Sequence, residues 1–255
     1  NLSNTETNYD FFANYNTKLE NSLSIGGLLG TSYRRNGSSQ SYTSTEGGLI
    51  VPGLYAIRNS AGSTLPTSET LTTSSLSSAY GQLTLGYKDT YFLEGTGRVD
   101  QSSNLPSSNN TYFYPSVSGS IVLSNLLKQD WLSYTKLRGN WAQVGKATGN
   151  YGINDTYSIV GLYGNTPIVN PRTFKNNPDL KPEISTEVEL GIEAKFLNNR
   201  LGFDISAYKT NSKDQIMRVD VSSASGYAQK WINAGEIENK GIELQLNVIP
   251  VKTKN

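Results

Sequence analysis

Residues 177–203 read NPDLKPEISTEVELGIEAKFLNNRLGF. From Glu183 the side chains alternate. Ile184, Thr186, Val188, Leu190, Ile192, Ala194 and Phe196 fall on one side, and Glu183, Ser185, Glu187, Glu189, Gly191, Glu193 and Lys195 on the other. Successive side chains of a strand point to opposite faces, so this is one strand with an apolar and a charged face. The chain reverses at Leu197-Asn198-Asn199-Arg200, where the Asn pair tolerates left-handed backbone. The rhythm then resumes, with Leu201, Phe203, Ile205 and Ala207 opposite Asp204 and Ser206. Strands of globular sheets average about five or six residues, whereas one tilted across a bilayer needs about 9–11. The length fits a membrane-spanning barrel better than a compact core.

Composition narrows the chemistry. The 255 residues carry Lys+Arg 22 against Asp+Glu 21, so no global field points to nucleic acid. His and Cys are both zero, which removes the usual catalytic base, the thiol nucleophile, disulfides and nearly every transition-metal site. No apolar run approaches the ~20 residues of a membrane helix. Glycine at 24 and tyrosine at 16 suit strands, turns and an aromatic interface. The abrupt start and stop lead us to expect a piece of a larger protein.

Nine strands are expected in all: residues 9–18, 22–33, 79–87, 90–100, 112–123, 131–144, 183–196, one from Leu201, and one through Ile242, Leu244, Leu246 and Val248. Connections after the odd strands are short. Those after the even strands, at 34–75, 101–111, 145–182 and 211–239, are long and polar. Outer-membrane barrels place short turns at the periplasmic rim and long loops outside. Odd strands are therefore expected to run down and even strands up. Trp131 and Trp141 share a face ten positions apart. At ~3.3 Å per residue and ~40° tilt this is roughly the height of an apolar band between aromatic girdles. Tyr87, Tyr91, Trp131 and Phe196 are expected at the inner girdle, and Tyr33 and Trp141 at the outer. The plainer alternative is that these aromatics fill a soluble core.

The stretch NPDLKPEISTEVELGIEAKF with NNRLGFDISAYKT resembles the C-terminal barrel signature of TonB-dependent outer-membrane transporters. YGQLTLGYKDTYFLEGTGRVDQSSNLP, FYPSVSGS, WLSYTKLRGNWAQVG and NAGEIENKGIEL narrow the resemblance to the SusC/RagA branch of Bacteroidetes. It covers nearly the whole chain. The resemblance implies an all-β, antiparallel up-and-down transmembrane β-barrel of 22 strands, of which 1–255 is a segment without the plug domain and terminal strands. It also implies TonB energy, a SusD-like surface lipoprotein and an oligosaccharide or peptide ligand. It implies a bacterial outer-membrane location, nutrient import and no catalysis. Rival readings are a passive porin-like barrel and a soluble all-β carbohydrate-binding domain.

Candidate site residues fall into two groups. Lys136 and Arg138 are expected to neighbour Glu187, Glu189 and Glu193 as ion pairs on a lumen wall; contact with a plug is the sharper alternative. Loop aromatics Tyr55, Tyr151, Tyr157, Tyr163, Tyr227 and Trp231 are candidates for stacking on sugar rings, for loop packing or for meeting a lid. Pro178 and Pro182 are expected to hold the chain extended, so that pairing begins only after Pro182. Asp100, Ser102 and Asn104 alternate as in calcium loops but lack the glycine and the later glutamate. No metal site is therefore expected, and with no Gly-rich phosphate loop opening a helix no cofactor is expected either.

Overall fold

The computed structural model describes residues 1–20, 22–63, 68–149 and 152–250. Its strands are β1 (Leu2–Lys18), β2 (Leu23–Tyr42), β3 (Ser68–Tyr87), β4 (Tyr91–Ser102), β5 (Thr111–Val122), β6 (Leu132–Lys146), β7 (Tyr157–Tyr163), β8 (Thr166–Pro171), β9 (Phe174–Lys175), β10 (Glu183–Phe196), β11 (Leu201–Lys213), β12 (Ile216–Asp220), β13 (Gln229–Asn233) and β14 (Glu236–Val248). Nine of them form one sheet in the order β1-β2-β3-β4-β5-β6-β10-β11-β14, and every pair is antiparallel. Long strands that neighbour in sequence neighbour in space, which is an up-and-down meander.

The short turns follow from backbone chemistry. Lys88 and Asp89 take φ of 54° and 49°, and the Thr90 amide donates to the Tyr87 carbonyl at 3.0 Å. Leu197, Asn198 and Asn199 are also left-handed, and the Arg200 amide donates to Phe196 at 3.0 Å. Leu197 shares a conformation expected only of the Asn pair. The turn between β5 and β6 carries a single helical turn, α1 (Ser124–Leu127).

The long connections need correcting. β2 runs on to Tyr42 rather than ending at Tyr33, and β3 begins at Ser68, the two pairing as far as Tyr42↔Ser68. The 145–182 segment contains the β7–β8 hairpin and β9, and 211–239 contains β12 and β13. β12, β13 and β9 form a separate three-stranded sheet at this end. Here both faces of a strand are wet, so Ser, Thr, Asn and Gly can pair through the backbone without alternating in polarity.

The apolar face is uncovered. Leu190, Leu244 and Leu246 stand 64%, 59% and 63% exposed, and no second layer of the described chain lies over them. Among the described residues the buried apolar side chains are Leu105, Val122, Leu180 and Ala194. A soluble domain of this length would bury most of its chain's surface around one core. This sheet instead needs an apolar medium along one side.

Registers show that the strands tilt. One ladder row joins Leu23, Tyr87, Tyr91, Ile121, Leu137, Ile192, Ile205 and Leu244. It starts beside the short turn at Tyr91 and reaches β14 about four residues from its end, over five steps. At ~3.3 Å per residue and ~4.8 Å between strands this is a tilt of roughly 30°, near that of membrane barrels. The apolar-face aromatics descend with the strand ends. Tyr87 stacks on Tyr91 at 6.4 Å, Trp131 on Phe196 at 5.8 Å, and Phe196 meets Phe203 at 5.8 Å.

Candidate functional site

Two features carry the chemistry: the polar face of the sheet and the loops at the end opposite the short turns. At the centre of the polar face, Arg138 of β6 spans to Asp204 of β11. Its Nη1 and Nη2 donate to Oδ2 and Oδ1 at 2.9 and 2.8 Å. The guanidinium crosses β10 at Gly191, where any Cβ would stand 2.7 Å from Arg138 Cζ. Arg138 Nη2 also lies 3.6 Å from Glu189.

The expected set of ion pairs is corrected at three places. Glu193 lies opposite Lys136 in register but pairs with Lys195, two residues on along its own strand, at 2.7 Å. Glu187 accepts from the Thr210 hydroxyl at 2.9 Å rather than from a cation. Among the described residues Lys136 makes no ion pair. Long side chains reach diagonal and same-strand neighbours as easily as the residue opposite. Asp204, the acid of the LGFDISAY stretch, lies two strands from Arg138, where pairing between adjacent strands does not reach.

Toward the far end of the same face, Tyr80, Arg98 and Tyr114 stand in one ladder row. Arg98 Nε donates to Asp100 at 2.8 Å and to the Tyr114 hydroxyl at 2.9 Å, and Nη2 donates to Ser78 at 2.7 Å. The Tyr114 hydroxyl donates to the other Asp100 oxygen. Asp100 and Ser78 are buried, and both Asp100 oxygens, the Tyr114 hydroxyl and Ser78 Oγ are engaged. Asp100 therefore serves Arg98 and Tyr114, not the alternating calcium-like pattern with Ser102 and Asn104. Ser102 Oγ accepts from the Asn104 amide instead.

The loops are tied together rather than loose. Leu180 of the NPDLKPE stretch is fully buried. The Lys181 amide donates to Asn233 Oδ1 and its carbonyl accepts from Asn233 Nδ2, each at 2.8 Å. Glu183 accepts from the Ile216 amide at 2.9 Å. Lys175 pairs with Asp155, which also accepts from the Asn176 amide. The hydrogen bond from Lys175 holds the Asp155 carboxyl below its ordinary range against the opposing effect of burial, and the Asn176 amide adds to it. Asp155 in turn raises the Lys175 ammonium above its ordinary value.

The loop aromatics divide. Tyr55, Tyr157 and Tyr163 are 91%, 67% and 82% exposed. Trp231 is half-buried under Arg218, whose guanidinium lies 5.1 Å from its ring and 5.7 Å from that of Phe174. Tyr227 sits 5.2 Å from the Lys175 ammonium. Trp231 and Tyr227 thus pack loops together. Tyr151 lies outside the described residues. On the apolar face, Tyr33 is paired across from Tyr9, and Trp141 across from Val117 and Val188.

Comparison with known proteins places this geometry. Residues 1–248 match the family model described as TonB dependent receptor-like, beta-barrel. The chain is 30% identical to the TonB-dependent receptor SusC of Bacteroides thetaiotaomicron over 72% of its own length and 19% of that protein's. It is 28% identical to TonB-dependent receptor P26 of Formosa agariphila over 92% of its length and 26% of that protein's. In fold it resembles the RagAB peptide importer in its closed-closed state, with a TM-score of 0.90 at 20% identity, covering 99% of this chain and 28% of that one. The chain spans about a quarter of the length of the curated relatives it matches. A bare apolar face, a charged opposite face, tilted strands and connections sorted by end all agree with that match: this chain belongs to the TonB-dependent receptor β-barrel family of the outer membrane.

Proposed function

We propose that the protein carrying this chain imports oligosaccharides across the outer membrane in the manner of SusC, driven by a TonB complex. In this reading the apolar face meets lipid, with Tyr87, Tyr91, Trp131 and Phe196 at the inner interface and Tyr33 and Trp141 at the outer. The polar face lines the lumen. Arg138, Glu189, Glu193 and Lys136 with Glu187 form a wall against which an N-terminal plug moves. Tyr55, Tyr157 and Tyr163 are free to meet ligand or a SusD-like surface lipoprotein over the rim.

The observation that carries the reading is where the charges lie. On β10, β11 and β14 they keep to the polar face through the apolar band. They appear on the other face only beyond Ala207 and Ile242, as Lys209, Lys213, Glu236, Glu238 and Lys240. Charge on the lipid side of a barrel costs ~2–4 kcal/mol at the midplane and little at the interfaces. The SusC relationship favours glycan over peptide.

The test is growth of a strain deleted for the full-length gene on single oligosaccharide or peptide mixtures, with and without TonB. Loss of growth on one glycan class, reproduced by removing TonB, supports the proposal. A defect confined to peptides transfers the reading to a RagA-like substrate. Growth independent of TonB supports a passive pore.

A further inference from the structure

The polar face carries an aromatic shelf near its outer end, where Gly30 leaves room for one of its rings. Tyr80 crosses β2 at Gly30, where a Cβ would stand 2.4 Å from the ring's Cζ. Tyr112 reaches toward β6 beyond the last β5–β6 pair, and a Cβ on Gly145 would stand 2.5 Å from its Cδ2. Between them the Arg98 guanidinium lies 5.5 Å from the Tyr80 ring, and Tyr114 stacks on Tyr112 at 5.7 Å with planes 29° apart. Tyr80, Tyr112, Tyr114 and Arg98 are all partly exposed, so the shelf is reached by solvent. A side chain of this size normally stands off a sheet; laid down over Gly30, Tyr80 presents its ring face instead of its edge.

The geometry points to a sugar-stacking subsite on this shelf, formed by Tyr80, Arg98, Tyr112 and Tyr114 and taking neutral oligosaccharides. It rests on the oligosaccharide reading above and gives it a place on the wall. Pyranose rings have apolar C–H faces that carry slight positive charge, and they complement the negative face of an aromatic ring. The Tyr80 ring lies over β2 and the Tyr112 ring reaches toward β6, so the two lie more than two strand spacings (roughly 10 Å) apart, which suits well-separated sugar units of one chain.

The charge of the shelf selects against other ligands. Arg98 is paired with Asp100, and its Nε and Nη2 also donate to Tyr114 and Ser78. The Arg98 charge is thus matched by that of Asp100, so the shelf has no net charge to favour an acidic peptide or a carboxylated ligand. The Tyr114 hydroxyl is locked by Asp100, so the platform is held in position before a ligand arrives.

The experiment uses the full-length protein in detergent, with Tyr80→Ala, Tyr112→Ala and the matching Phe variants. Binding of neutral gluco-, manno- and galacto-oligosaccharides is measured by calorimetry beside the thermal melt. Each Ala variant is expected to weaken binding about tenfold with its melt unchanged, while each Phe variant keeps wild-type affinity. If the wild type binds sugar and both Ala variants bind equally well, the shelf is overturned and the transport reading stands. If affinity falls only together with the melt, the residues are structural and the shelf is again overturned. A wild type that binds peptides but no sugar in the panel overturns the oligosaccharide reading and the shelf with it.

Discussion

Arg138 holds Asp204 across an intervening strand, with two parallel hydrogen bonds of 2.9 and 2.8 Å passing over Gly191. Three adjacent strands are joined by one guanidinium, which is possible only because β10 has no side chain at the crossing. The three atoms nearest a Cβ there all belong to the end of the flexible Arg138 side chain, so substitution displaces Arg138 before it distorts the sheet. Both partners are about a third exposed, so screening limits the pair to about 1 kcal/mol. Gly191→Ala and Asp204→Asn should each lower barrel stability by about that amount. The double variant should cost little more than either alone, because both break the same contact. Urea titration of the full-length barrel in vesicles measures this, and full additivity would refute the shared contact.

Leu244 and Gln245 are neighbours on β14 that face opposite media. Leu244→Arg puts a charge in the apolar band and should cost ~2–4 kcal/mol, with loss of outer-membrane assembly. Gln245→Arg puts the same charge opposite Asp204 in register, where it gains a partner, and should be nearly neutral. Heat-modifiable migration and urea titration of both variants report the difference. Equal costs would mean that the two faces see the same surroundings.

How much was legible in the sequence follows from where water is. Between the rims, one face is apolar by necessity, so alternation fixes each strand and its register. Glu183–Phe196 was read to the residue for this reason. Beyond the rim the necessity ends. The run from Arg34 to Tyr42 pairs residue by residue with β3, yet carries no period that would betray a strand. β12 and β13 escaped for the same reason. Arg98 with Asp100, two residues on along the same strand, and Arg138 with Asp204, two strands over, escaped because ladder register does not tell which diagonal or same-face neighbour a long side chain will choose.

Leu180 is the fully buried large side chain of the loop region, and the backbone on its C-terminal side is clamped by Asn233. Leu180→Ala should remove ~2–5 kcal/mol of packing from this junction. Since the junction lies outside the sheet, the loss should appear as local opening. Limited proteolysis on intact cells should cut within 152–182 much faster in the variant, while the barrel keeps its melting transition. A fall in barrel stability with unchanged loop cleavage would show that Leu180 supports the sheet instead.

The Asp155–Lys175 pair gives this same segment a defined pH response. Asp155 is depressed below its ordinary value, so its contribution is complete above the usual carboxylate range and lost as pH falls through the depressed value. Lys175 is raised, so its contribution is complete below the usual lysine value and lost as pH rises through the raised one. Loop protection should therefore stay flat across neutral pH. It should drop only below about pH 4, where the ordinary carboxylate range begins, and again in strong alkali. Hydrogen exchange of 152–176 at a series of pH values, corrected for intrinsic rates, tests this. Asp155→Asn should abolish the acid step while leaving exchange in β10 unchanged. An acid step that survives the substitution would assign it to another carboxylate of the loops.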